Sequence, residues 1–362
     1  MSNIESVIKY THQYLNDFKP YKGGKWCYED GIILSGSEYL YEATKDNAYN
    51  EFILNYLDKG IDEDGKLAQY KQEDYNIDNI NAGKVLFDAY AQTNKEKFKK
   101  AMDTLFAQLE THPRTQSGSF WHKKRYPNQI WLDGLYMGQP YYARYIKEFT
   151  DSDNYEDILN QFRNVKKYLW DSERELYIHA YDETYSMQWA DKETGKAPNV
   201  WSRAVGWVAM ALVDVMEICN NQEITKELSA LLVEQIDGML SYQTEEGMWY
   251  QVVDKLDLEG NYLETSGTLM IAYAILKGVR LGYLDQKYLE FGLKAYEGTI
   301  NKYFYEEDGK FHLGGICEVA GLDNEKRDGS VEYYLSERVV VDEAKGVAPF
   351  FMTIAEVIKL NQ

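Results

Sequence analysis

One short pattern recurs six times along the chain, each time between stretches of helical periodicity. A turn residue, glycine or glutamate, opens a brief run that is mostly aromatic. The six are Gly24-Lys-Trp26-Cys-Tyr28, Gly65-Lys-Leu67-Ala-Gln69, Gly118-Ser-Phe120-Trp-His122, Glu175-Leu-Tyr177-Ile-His179, Gly247-Met-Trp249-Tyr-Gln251 and Gly309-Lys-Phe311-His312. The second is the weakest, with no aromatic residue in its run. They lie roughly 40 to 70 residues apart, which suggests a repeated supersecondary unit. Each run is too short for a helix and suits an extended piece after a turn.

Between the runs the periodicity is helical. Val205, Ala209, Leu212 and Met216 share a face after Ser202, as do Leu269, Tyr273, Leu276 and Val279 after Thr265 and Ser266. Further helices are predicted over Ile4 to Asp17, Gly83 to Gln92, Lys95 to Thr111, Tyr155 to Leu169, Ile224 to Tyr242 and Pro349 to Leu360. Two helices per unit and six units give about twelve. A helical hairpin cannot bury both faces alone, so the units must stack, and six that close form a toroid. The predicted fold is therefore all-α, a six-hairpin (α/α)6 barrel, as one domain over residues 1–362. No linker or composition shift divides the chain.

Helix starts are expected near Asp30, Asp78, Asp133, Ser202, Ser266 and Asp342. If these belong to the inner ring, their N-termini share one mouth. A mouth of convergent acids and aromatic faces is a carbohydrate site in outline, since rings stack on sugars and acids bind hydroxyls or move protons.

Charge narrows the partners. The chain carries 59 Asp and Glu against 39 Lys and Arg, a net charge of -20. That excludes a general nucleic-acid binder and disfavours anionic membranes. The richest apolar stretch, Val205 to Met216, contains Asp214 and falls short of the roughly 20 residues a membrane span needs. The N-terminus shows no basic segment followed by an apolar core, so no secretory signal is expected. Three scattered cysteines, Cys27, Cys219 and Cys317, offer neither a disulfide framework nor a zinc site. A reducing cytosol is the expected setting. No phosphate-binding loop, nucleophile elbow or dinucleotide fingerprint is present, and no metal or cofactor is expected.

The densest chemistry lies between His122 and Pro140. Asp133 sits between Trp131-Leu132 and Gly134-Leu135. An apolar setting disfavours its charged form, so a raised pKa and a general-acid role are expected. A helix N-terminus pushes the other way, and a plain helix cap is the alternative. Asp78 is likewise a cap or a second carboxylate coupled to Asp133; paired carboxylates are the usual equipment of glycoside hydrolysis. His122 and His179 occupy equivalent places in successive repeats. Arg203, between Trp201 and Trp207, could present a fork to a sugar carboxylate or serve as a cation–π cluster. The run His122-Lys123-Lys124-Arg125 is a solvated patch or a lure for an anion. Asp30 belongs to the same set of helix starts.

Five stretches together carry a resemblance: Trp131-Leu-Asp133-Gly-Leu-Tyr-Met-Gly-Gln-Pro140, His179-Ala-Tyr-Asp182-Glu, Trp189-Ala-Asp191-Lys-Glu-Thr-Gly195, Trp201-Ser-Arg203-Ala-Val-Gly-Trp207 and Glu264-Thr-Ser266-Gly-Thr. With Asp328-Gly329-Ser330 and Tyr333-Tyr334-Leu-Ser336-Glu337, they resemble the unsaturated rhamnogalacturonyl hydrolases of glycoside hydrolase family 105, in order along nearly the whole chain. That family's fold is an (α/α)6 barrel. The resemblance implies a small oligosaccharide substrate ending in a Δ4,5-unsaturated uronic acid, whose double bond is hydrated. It implies Asp133 as general acid at C4, then activator of water for C5, with Asp78 tuning it. Substrate contacts would fall to Asp30, His122, Lys123, His179, Trp201, Arg203 and Trp207, with Arg203 the expected partner of the uronate carboxylate. The rival readings are a family 88-like glucuronyl hydrolase acting on glycosaminoglycan fragments, an α/α-barrel sugar epimerase and a non-catalytic sugar-binding barrel. An epimerase would need a histidine pair as acid and base, and the Asp pair is the stronger signal.

Overall fold

The structure is a computed structural model that describes residues 4–362. In chain order the helices are α1 (Ile4–Asn16), α2 (Tyr28–Thr44), α3 (Asn47–Gly60), α4 (Asp78–Asn81), α5 (Leu86–Thr93), α6 (Glu96–Thr111), α7 (Asp133–Phe149), α8 (Glu156–Leu169), α9 (Ser202–Cys219), α10 (Gln222–Leu240), α11 (Thr265–Arg280), α12 (Leu289–Tyr303), α13 (Val331–Ser336) and α14 (Ala344–Leu360). The inner ring closes on itself: α2 packs on α4, α4 on α7, α7 on α9, α9 on α11, α11 on α14, and α14 back on α2. Outside it, α3, α6, α8, α10 and α12 each lie against their inner neighbour. Helix α1 completes the outer ring, with the rings of Tyr10 and Tyr14 against Phe350 and Phe351 of α14. This is the (α/α)6 barrel the repeats predict.

The two rings differ in sequence for a physical reason. Outer helices face water on one side and carry an apolar stripe, as in α8, which buries Ile158, Leu159, Phe162, Val165 and Leu169. Inner helices touch protein all round. In α9 every residue from Ser202 to Met216 is buried, and in α11 every residue from Thr265 to Val279. Close approach between them needs small residues: a Cβ on Gly206 would lie 2.7 Å from the Met270 side chain. Full burial also hides a helix from periodicity. Helix α2 buries Asp30 through Ser37 without a break and has no stripe to read.

Two expectations shift at their edges. The helix expected from Pro349 begins at Ala344, with Pro349 inside it. The helix expected over Gly83 to Gln92 is the second half of a broken inner helix, α4, then a 3-10 turn Ala82–Val85, then α5. Among the described residues no helix is long and apolar enough to cross a membrane.

The six recurring runs share one backbone device. Their opening residues are all left-handed: Gly24 (φ 85°), Gly65 (81°), Gly118 (89°), Glu175 (55°), Gly247 (88°) and Gly309 (74°). A positive φ is nearly free for glycine. Glu175 is the one L-residue among them. The second to fifth runs, and the chain just past the sixth, then pair with the start of an inner helix in the preceding repeat. Trp26 N–H donates to the Ala68 carbonyl at 2.9 Å, Ile77 to His122 at 3.3 Å, Leu132 to His179 at 3.1 Å, Ser202 to Gln251 at 3.1 Å and Thr265 to Gly315 at 2.9 Å. These bonds form a belt round one end of the barrel. They bring the helix starts and the aromatic runs to a common rim.

Candidate active site

A cleft of about 900 Å³ opens at that rim, and Asp30, Asp78, His122, Lys123 and Asp133 all stand in its wall. Neither central carboxylate caps its helix. Asp78 and Asp133 are the first residues of α4 and α7, while Ile77 and Leu132 at the cap positions have helical dihedrals and make no capping bond. The cap alternative therefore fails, and both carboxylates are available to other groups.

Asp133 is held from behind. His179 is fully buried, with Nε2 3.5 Å from Asp133 Oδ2 and Nδ1 2.6 Å from the Tyr334 hydroxyl. Trp131, two residues before Asp133, stacks on His122 with ring centroids 4.5 Å apart. Tyr126 lies near parallel to the same indole at 5.0 Å. Burial pushes the Asp133 carboxyl up, but the hydrogen bond and charge of His179 pull it down further. The net direction is downward. The rise expected from the apolar sequence is thus corrected: neighbours along the chain are apolar, whereas the neighbours brought by folding are imidazoles.

Asp78 is paired rather than coupled to Asp133. Lys123 Nζ lies 2.5 Å from its Oδ2, and His122 Nε2 is 3.6 Å from its Oδ1. Burial carries the His122 ring down to about 4, against the pull of Asp78, so this histidine is neutral near pH 7. Asp30 is engaged by the protein itself. It accepts from the Tyr21 N–H at 2.9 Å and from the Tyr56 hydroxyl at 2.6 Å, and so anchors the 3-10 turn Tyr21–Gly23. Direct substrate contact by Asp30 gives way to this anchoring role.

The remaining four candidates lie beneath the wall. Arg203 is 1% exposed; its Nε donates to Ser266 Oγ at 2.7 Å, its Nη2 bonds the Cys317 carbonyl, and Glu264 Oε1 is 3.7 Å away. Only Nη1 has no partner. The fork expected to grip a sugar carboxylate is already closed on protein. Trp201 donates to Gln251 at 3.0 Å and packs on His179 at 4.9 Å. Trp207 stacks on Tyr136 at 4.9 Å, inside the barrel. His179, Trp201, Arg203 and Trp207 are therefore a supporting layer, not cleft lining.

Sequence reasoning also missed parts of the wall. Glu343 and Lys345, an ion pair at the start of α14, face the cleft, as do Tyr28 and Glu29 of α2 and Met137, one turn into α7. The signal for α2 and α14 was the rule that every inner-helix start meets the mouth, applied to residues one to three places from the acid. Among the described residues no group of three or more His, Cys, Asp or Glu is arranged to hold a metal.

Comparison with known proteins agrees with this architecture. The profile described as Glycosyl Hydrolase Family 88 matches residues 3–361. A glycoside hydrolase from family 105 of C. acetobutylicum ATCC 824 superposes with a TM-score of 0.92 at 43% identity, over 98% of this chain and 99% of that one. The unsaturated rhamnogalacturonyl hydrolase YesR of Bacillus subtilis is 26% identical over 324 residues, 85% of this chain and 82% of the relative. The unsaturated glucuronyl hydrolase of Bacillus sp. GL1 shares the fold, with a TM-score of 0.63 at 14% identity over 92% and 95% of the two chains. With an acid-lined mouth and these matches together, the epimerase and binding-barrel readings fall away, and the chain belongs to the family 88 and family 105 group of glycoside hydrolases.

Proposed function

We propose that this hydrolase removes a terminal Δ4,5-unsaturated uronic acid from lyase-generated oligosaccharides, foremost the unsaturated galacturonyl-rhamnose disaccharide of rhamnogalacturonan. The observation that carries the reading is Asp133: an uncapped, part-exposed carboxyl in the cleft wall, oriented by the His179–Tyr334 pair, with a second carboxylate in the same cleft. The likeness to YesR, an unsaturated rhamnogalacturonyl hydrolase, supports the substrate class.

The chemistry follows from that placement. Protonated Asp133 gives its proton to C4 of the enol ether, and positive charge develops at C5 and the ring oxygen. Water adds to C5 and returns a proton to the Asp133 carboxylate. The C5 hemiketal opens to a ketone, and the hemiacetal left at C1 then collapses and expels the next sugar. The free enzyme holds Asp133 down; a bound uronate brings a like charge into the cleft and pushes it back up, towards what a general acid needs. Asp78, held by Lys123, aligns the ring hydroxyls or the water.

Three unpaired, buried thiols support a cytosolic setting in which the substrate arrives after import. Fractionation of the source cells checks this; activity confined to a secreted or periplasmic fraction contradicts it. For the activity itself, lyase-generated unsaturated disaccharides of different backbones are incubated with the enzyme. The ultraviolet absorbance of the conjugated enol ether should fall with the rhamnogalacturonan product. A stable absorbance with every backbone refutes the proposal.

A further inference from the structure

His122 borders two spaces. It lines the cleft and, with Trp131, it also lines a separate cavity of about 20 Å³. The rest of that cavity is apolar apart from Gln139 and Gln161. Gln161 is spent on backbone: its Oε1 accepts from the Phe120 N–H at 3.0 Å and its Nε2 donates to the Gly118 carbonyl at 3.2 Å. Gln139 is 0% exposed, yet neither of its amide atoms has a protein partner. His122 Nδ1 is buried and equally unpartnered. Two unmet polar side chains therefore converge on one small cavity. A purely apolar cavity stays dry, whereas a polar one needs only about 10–15 Å³ to hold a water that bonds such groups.

The far side of the ring decides what that water does. His122 is neutral near pH 7, so only one ring nitrogen carries hydrogen. Nε2 faces Asp78 Oδ1 at 3.6 Å, and Lys123 holds the same carboxylate at 2.5 Å. A carboxylate only accepts, so the hydrogen belongs on Nε2; a bare Nε2 would set its lone pair against the charge. Nδ1 is then an acceptor, and the donor it lacks comes from the cavity. A water there donates to Nδ1 and bonds the Gln139 amide. Accepting at Nδ1 polarises the ring and makes Nε2–H a stronger donor to Asp78. Gln139 lies on α7, the helix that Asp133 begins, so one helix carries the acid and the support of its partner.

We propose that Gln139 is a positioning residue for the reaction: through one buried water at His122 Nδ1 it fixes the imidazole so that Nε2–H is donated to Asp78, and so holds that carboxylate in place for the substrate. The inference rests on the hydrolase reading for the task of Asp78 and extends the machinery to a residue outside the cleft wall.

Two measurements on the wild-type enzyme come first. A high-resolution crystal structure should show one ordered water within hydrogen-bond distance of His122 Nδ1 and the Gln139 amide. Enzyme labelled with 15N-histidine has only five rings to resolve, and His122 is assigned by its loss in His122→Gln. Its ring should be the Nε2–H tautomer, with the Nδ1 chemical shift of a hydrogen-bonded acceptor. A dry cavity or an Nδ1–H tautomer overturns the inference, and neither result depends on a variant that folds. Gln139→Met then keeps the length of the side chain and drops the amide. The Nδ1 shift should move to that of a free acceptor, and kcat/KM should fall about fivefold, the scale of one neutral hydrogen bond. The melting temperature should stay at or above wild type, since a buried amide is removed. Lost activity with an unmoved Nδ1 shift overturns the inference, because the amide would then act through packing. A moved shift at full activity overturns the role in the reaction. Failure of the wild type to cleave any unsaturated disaccharide refutes the hydrolase reading and the positioning role with it, whereas the water and the tautomer are read without substrate.

Discussion

The mouth of the barrel has two unlike halves built from equivalent positions. Helices α2, α4 and α7 present Glu29, Asp78 and Asp133 to an open cleft, whereas the starts of α9 and α11 present Arg203 and Glu264 to a dry interior. The difference comes from the connection between α12 and α14. Residues 304–343 hold two strand pairs and α13, and they fold over the α9–α11 side. Cys317 receives Arg203 on its carbonyl and donates its N–H to Glu264 at 3.0 Å, and Gly329 accepts from Asn199 at 2.8 Å. Tyr334 reaches His179. Six-fold repetition fixes where side chains converge; one long connection decides which of them meet substrate and which become scaffold.

This contrast can be broken most sharply at its two centres. Asp133→Asn should lower kcat by about 10²–10⁴, the usual contribution of a general acid, while its melting temperature stays close to wild type. Arg203→Ala should do the reverse. It leaves Glu264 buried beside an empty guanidinium site, and losing one partner of a buried pair costs about 3–5 kcal/mol, read by urea unfolding. An Arg203→Ala enzyme of normal stability that has lost only its preference for the acid over its methyl ester would return Arg203 to the open half.

A finer test uses the one bridge between the halves. His179 holds the Asp133 pKa down, so His179→Leu should raise it. An acid that must be protonated then works to higher pH, and the descending limb of the kcat–pH profile should move upward. Tyr334→Phe should move it less, because the ring loses its anchor but stays in place. An unmoved limb in both variants contradicts the coupling. The smallest effect belongs to Asp30→Asn, which weakens the clamp on the Tyr21 turn. A hydrogen bond of about 1 kcal/mol predicts a KM rise of under tenfold with little change in kcat.

Much of the open half was legible in the chain. The belt of short runs set the rim, and acids one residue into a helix, such as Asp78 and Asp133, marked the wall. The capped half was not. Arg203 and Trp207 share a helix face with the same residue types a sugar site uses, and nothing local reveals that Cys317, more than a hundred residues on, closes over the guanidinium. The direction of the Asp133 pKa was misread for the same reason, since His179 arrives from the next repeat. Helix α2 escaped periodicity because it is buried on nearly every side; α3 was passed over as well, although its buried Tyr49, Ile53 and Leu57 lie four apart.

The central claim is that Asp133, in the open half, adds a proton to the unsaturated uronate at C4. Turnover of the unsaturated galacturonyl-rhamnose disaccharide in D2O, followed by NMR before product exchange sets in, tests it directly. The released keto-sugar should carry one deuterium at C4, placed on a single face, and Asp133→Asn should give no such product over the same time. Release of rhamnose with no deuterium at C4 would mean attack at the anomeric carbon, and would contradict the account.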